Sequence, residues 1–160
     1  MDANRAPHPV LSKWRRLSRS AAGRWLFSRG LGLLVPYSGT IGPRVQRLEP
    51  GGAVIHMRDR RRVRNHLRSV HAAALLNLTE LTGGLLATVS MPADARMIIT
   101  GVNVDFVKKA RGLLAAEGTC PVPQSNERAE IEVQVVIRDA SADVVARGTV
   151  RVLVGPVPAK

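Results

Sequence analysis

From Arg44 onward, apolar and polar positions alternate in short runs, interrupted once by a long apolar stretch. Residues 44–49 and 53–58 read as two short strands joined by the turn Pro50-Gly51-Gly52. From Ser69-Val70-His71 a helix follows, in which Ala72, Ala73, Ala74, Leu75, Leu76, Leu78, Leu81 and Leu85 leave little polar circumference. Such a helix is buried on most sides. Gly83-Gly84 predicts its end, because glycine accepts the left-handed cap conformation without a Cβ clash. Residues 97–108, 112–119, 129–139 and 143–154 read as further strands. In the third of these, Ile131, Val133, Val135 and Ile137 take one face, with Glu130, Glu132, Gln134 and Arg138 near the other. Residues 139–143 form the hairpin loop between the last two. Upstream, Val10, Trp14, Leu17, Ala21 and Trp25 recur at helical spacing over residues 10–34, as one basic amphipathic helix or a broken pair. Gly30 and Gly32 weaken its end, and Pro36 with Ser38-Gly39 stops it. Two strands, a buried helix and then more strands imply an α+β fold, an antiparallel sheet with one long helix laid against it.

With 160 residues and 45% apolar content, one domain with a core is expected. We divide the chain into a basic N-terminal helical extension (1–36), the main domain (37–156) and a short tail (157–160). Charge is uneven: residues 1–70 hold fifteen Lys or Arg against three acids, and residues 71–160 hold nine against nine. The whole net charge of +12 therefore arises in the first 70 residues. A single cysteine, Cys120, excludes an internal disulfide framework and, with four scattered histidines, a zinc module. No apolar run reaches 18 residues, and Arg29 interrupts the signal-like segment around Trp25-Leu26-Phe27, so a cytoplasmic protein is expected. Nucleic acid is disfavoured as a partner, since only five aromatic residues are present and no stacking platform or groove-reading motif interleaves with the arginines. Trp14 and Trp25 beside arginines suit an anionic membrane surface better.

The apolar helix carries one carboxylate, Glu80. Buried carboxylates are rarely tolerated unpaired. Structurally, Glu80 could join Asn77, one turn earlier on the same face, or pair with an arginine across a dimer interface. Chemically, a carboxylate in an apolar wall is a stronger base, because desolvation raises its pKa. The unpaired amides at the helix start offer a complementary site for developing negative charge.

The spacing of Asn65, His71, Ala72 and Glu80 resembles that of hotdog-fold acyl-CoA thioesterases of the phenylacetate-pathway type. Val102-Asn103-Val104-Asp105-Phe106, leading to Ala110-Arg111-Gly112, is similar to that family's strand and turn after the helix. The likeness covers about residues 40–154 and is nearest to a thioesterase-like hotdog group of unassigned role. It implies a hotdog fold, an antiparallel sheet wrapped around a central helix. It further implies that the Ala72 N–H polarises a thioester carbonyl, that Glu80 attacks it or activates water, that Asn65 holds water or substrate, and that His71 braces the loop. Asn77 and Thr100, the nearest counterpart of a helper hydroxyl, would face the substrate, while Lys108, Lys109 and Arg111 would meet coenzyme A phosphates. The implied substrate is an acyl-CoA or acyl-carrier thioester, with coenzyme A present only as part of it and no metal. Where the family has His-Gly-Gly this chain has His71-Ala72-Ala73, and Arg68 replaces a small residue. Ala72 and Glu80 lie about 12 Å apart along one helix, so one carbonyl can meet both only if two chains contribute. A homodimer or a tetramer is expected. The alternative is a non-catalytic hotdog protein holding a lipid or acyl ligand at a membrane surface.

Overall fold

The computed structural model describes residues 7–157. The N-terminal segment is the broken pair of helices, α1 (Pro9–Leu17) and α2 (Ala21–Leu34). Ser20 makes the break: its hydroxyl accepts the Gly23 N–H at 3.0 Å and caps a new helix. As expected, α2 stops at Leu34, just before Pro36. Pro36 then opens a short third helix not expected from the sequence, α3 (Pro36–Gly39), because its fixed φ suits a first helical turn.

The strands are β1 (Arg44–Glu49), β2 (Gly52–Arg58), β3 (Ala95–Phe106), β4 (Leu113–Thr119), β5 (Ala129–Arg138) and β6 (Val144–Pro156). They form one antiparallel sheet in the order β1-β2-β4-β5-β6-β3. In register, Val54 faces Glu117, Val133 faces Val150 and Asn103 faces Thr149. A bulge in β3 between Ile99 and Gly101 shifts its pairing with β6. The sheet curls round a long helix, α4 (Ala72–Ser90), and the core between them holds Leu78, Leu86, Ile55, Met57, Leu114 and Ile137, all fully buried. By length and composition α4 could cross a membrane, but most of it is enclosed by the sheet.

Two expectations about α4 are corrected. It starts at Ala72 rather than Ser69, because Val70 is drawn into extended pairing, donating its N–H to the Ala110 carbonyl and bridging Arg64. Gly83-Gly84 does not terminate it. These glycines let the sheet come close: a Cβ on Gly83 would sit 2.5 Å from Val150 Cγ2, and one on Gly84 3.2 Å from Ile99 Cδ1. The helix runs on to Ser90 and stops before Met91-Pro92, where proline disfavours helical backbone in the residue preceding it. Gly83→Val is therefore expected to lower unfolding free energy by about 1–3 kcal/mol through overpacking. That outweighs the few tenths gained in helix propensity. Urea denaturation checks this, and an unchanged midpoint would mean the close approach is not restrictive.

The N-terminal helices share the core. Leu11, Trp14 and Phe27 belong to the same buried cluster as α4, with Trp14 and Phe27 ring centroids 5.1 Å apart edge to face. Ser28 ties α2 to the sheet: its hydroxyl accepts the Val45 N–H at 3.0 Å and donates to the Arg24 carbonyl.

Candidate active site

The start of α4 is organised by the loop before it. Asn65 Oδ1 accepts the Leu67 N–H at 3.0 Å, and the Ser69 N–H and hydroxyl each at 3.2 Å, holding a tight turn in which Arg68 takes a φ of 55°. His71 then donates its N–H to the Val63 carbonyl, and its Nδ1 accepts the Ala73 N–H at 3.0 Å. His71 is thus the helix N-cap, a bracing part like the one the resemblance implies. Ala73 and Ala74 spend their N–H groups on His71. Among the described residues the Ala72 N–H has no partner, and Ala72 is exposed at the positive end of the helix dipole. Asn65, His71 and Ala72 are therefore brought together; Glu80 lies two turns further along.

Glu80 is half-buried in the wall of a groove of about 650 Å³. Its walls come from α1 and α2 (Leu17, Leu26, Leu31), from α4 (Leu81, Leu85) and from β3 (Met97, Ile99). Only Lys13, Glu80 and Thr88 bring polar side chains to it. Burial raises the Glu80 pKa above its ordinary value. Among the described residues, none makes a hydrogen bond or ion pair with the carboxylate. The expected cluster with Asn77 is not formed: Asn77 is buried, its Nδ2 donates to the Tyr37 carbonyl at 3.4 Å, and its Oδ1 has no donor.

The remaining residues singled out in the sequence lie elsewhere. Thr100 is exposed at the β3 bulge and donates to the Arg151 carbonyl at 3.3 Å. The hydroxyl in the groove is that of Thr88, which donates to the Gly84 carbonyl at 2.8 Å. Lys108 is paired with Asp139 at 2.9 Å and Asp143 at 2.5 Å, which raise its pKa. Lys109 and Arg111 are exposed. Cys120 donates its thiol to the Ser90 hydroxyl, and burial raises its pKa, which leaves it a poor nucleophile. Among the described residues, no three His, Cys, Asp or Glu side chains converge as a metal shell needs. Sequence reading missed the groove's roof: Leu26 entered that reading only as part of a signal-like segment, and Leu31 and Leu34 were given no role. Their one distinguishing signal was the open Gly30 among them.

Comparisons with known proteins agree with this layout. A family model described as a domain of unknown function, DUF4442, matches residues 23–154. No curated protein matches the chain. Among solved structures, a structural-genomics protein is similar with a TM-score of 0.79 at 29% identity, covering 92% of this chain and 99% of its own. A Pseudomonas aeruginosa protein of unknown function, called a probable thioesterase, has a TM-score of 0.73 at 25% identity over 81% of this chain and 94% of its own. A thioesterase from Haemophilus influenzae shares the fold, with a TM-score of 0.69 at 15% identity over 79% of this chain and 88% of its own.

Proposed function

The chain belongs to the DUF4442 family, within the hotdog thioesterase superfamily, and on that footing we propose that it hydrolyses an acyl thioester whose aliphatic chain lies in the groove beside Glu80. One observation carries this reading: the groove's single carboxylate is half-buried and, among the described residues, unpartnered in a mostly apolar wall. A group kept there without an ion pair holds its proton to higher pH than a free carboxylate does, and is a stronger base once ionised. Glu80 removes a proton from water, and the oxygen adds to the thioester carbonyl carbon. The resulting oxyanion is held by an Ala72 N–H. The C–S bond then breaks, and the sulfur leaves as a thiol carrying the proton that Glu80 returns.

The Ala72 amide that serves a given Glu80 belongs to a second copy of the chain, because on one helix the two are about 12 Å apart. The β3 edge supports such a dimer. It runs for twelve residues with only β6 beside it, and Ile98 and Phe106 are exposed along it. A long apolar edge of this kind favours pairing with another chain. Met97 and Ile99 of the same strand wall the groove, so a copy paired there borders Glu80 directly.

The groove's volume lies within the usual 300–1,000 Å³ range of small-molecule sites. Its lining suits alkyl carbons rather than polar acyl groups. Release of free thiol from acyl-CoAs of increasing length tests both points. Gly30→Phe sharpens the test, because a Cβ at Gly30 has nothing within 4 Å and the ring would enter the groove while improving helix propensity. Its kcat/KM is expected to fall for long chains relative to acetyl-CoA, by about fourfold for each methylene excluded. An equal loss for all lengths removes the groove from substrate selection. Acyl-CoA binding without thiol release would instead favour a non-catalytic acyl-binding protein, a role consistent with the methyl of Ala72 crowding the carbonyl site.

A further inference from the structure

A second concavity, of about 470 Å³, opens between α2, β1 and β2. It lies on the face of β2 that carries His56 and Arg58, not the face by which Ile55 and Met57 meet α4. Arg24, Arg44, Arg58 and Arg60 line it, with Trp25 at its side. An adjoining hollow shares Arg44 and Arg60 and adds Arg29 and Arg62. No acidic residue lines either space. Four cations outside these spaces are paired with carboxylates: Arg47 with Glu49, Arg64 with Asp59, Lys108 with Asp139 and Asp143, and Arg138 with Glu117. Here, among the described residues, none is paired with a carboxylate.

The cluster is built, not simply solvated. The Arg60 guanidinium donates to the Ile41 carbonyl at 2.8 Å and lies across Gly42, where a Cβ would meet its Nη2. Gly42 also has a φ of +62°, a backbone conformation that favours glycine. Arg24 is fixed by donating to the Ser18 carbonyl at 3.0 Å. Burial and the charges of Arg62, Arg44 and Arg58 lower the Arg60 pKa, which reflects repulsion with no internal counter-charge. Several guanidinia held around one hollow match a compact, multiply charged anion, since each planar fork binds phosphate oxygens in bidentate fashion.

We propose that this cleft binds a ligand bearing clustered phosphates, gripped by Arg24, Arg44, Arg58 and Arg60. Two sources share that chemistry, the nucleotide end of coenzyme A and the headgroups of an anionic lipid surface. Trp25 is 47% exposed beside the arginines and offers a stacking face to a base or an anchor in a lipid interface. Nothing in this cleft depends on Glu80, so phosphate binding is tested separately from thioester hydrolysis.

The test uses the full chain and the double variant Arg44→Gln/Arg58→Gln, whose replaced side chains are exposed and make no contact that holds the fold together. Inorganic pyrophosphate is titrated calorimetrically at constant ionic strength. It is expected to bind the wild type and to lose about tenfold in affinity per arginine removed. Without pyrophosphate, the variant is expected to melt no lower than the wild type, because repulsion is relieved. Adenosine 3′,5′-bisphosphate and vesicles of phosphatidylglycerol, against phosphatidylcholine alone, then identify the source. Tighter binding of the bisphosphate with quenched tryptophan fluorescence indicates a nucleotide, and arginine-dependent binding to the anionic vesicles alone indicates a headgroup. Equal pyrophosphate affinity in wild type and variant overturns the proposal.

Discussion

Replacing Glu80 with glutamine is expected to lower kcat by about 10² to 10⁴-fold, the usual contribution of a positioned base, without harming the fold. Glutamine keeps the shape and removes only the charge, and no internal ion pair is lost with it. The two readouts move in opposite directions with pH. Unfolded, Glu80 ionises around 4.5; folded, burial holds its proton to higher pH. The stability associated with the protonated group is complete below the unfolded pKa and is lost as pH rises through the folded one. Wild-type thermal stability should therefore fall relative to Glu80→Gln as pH climbs above 4.5. Over the same window wild-type kcat should rise, because the base must be ionised to act. Melting curves and a pH-rate profile check the pair. If hydrolysis survives in Glu80→Gln with its acidic limb unmoved, Glu80 is not the base.

Ala72→Pro is expected to cost about 10²–10³-fold in kcat, as removal of one oxyanion donor does. The substitution deletes one N–H and little else. Ala72 is the first residue of α4, where proline is well tolerated, and His71 before it has φ −66° and ψ 142°, the conformation proline favours in its predecessor. The Ala72 N–H satisfies no bond in the fold, so the melting temperature should hold or rise slightly. Mixing the two variants tests the shared site. In a dimer of one Glu80→Gln chain and one Ala72→Pro chain, one of the two sites keeps both an intact carboxylate and an intact amide. Activity should return on co-expression, and inactive mixtures would mean that no site is shared between copies.

Much of the fold was legible because its signals are local. The alternation from Ile131 to Ile137, the turn at Gly51 and the hairpin loop over 139–143 depend on neighbours a few residues away, and β1, β5 and the last loop lie where they were expected. Glu80 was legible for the opposite reason, as the single charged residue in an apolar run. The glycine pair in α4 was misread because glycine serves equally as a helix stop or as room for a neighbour. Only the approach of Val150, from a strand more than sixty residues away, decides between them. Lys108 was read as free for a phosphate because the acids that occupy it, Asp139 and Asp143, belong to a distant hairpin.

By itself the sequence determined the α+β class, the strands and the one buried helix, the confinement of net charge to the first 70 residues, and the oddity of Glu80. These follow from periodicity and composition, which each segment carries independently. Tertiary structure alone decided that α1 and α2 roof the groove beside Glu80, that β3 is an open edge, and that arginines from α2, β1 and the segment after β2 converge on one hollow. Those are meetings between segments far apart in the chain, and they exist only once a common core has drawn the segments together.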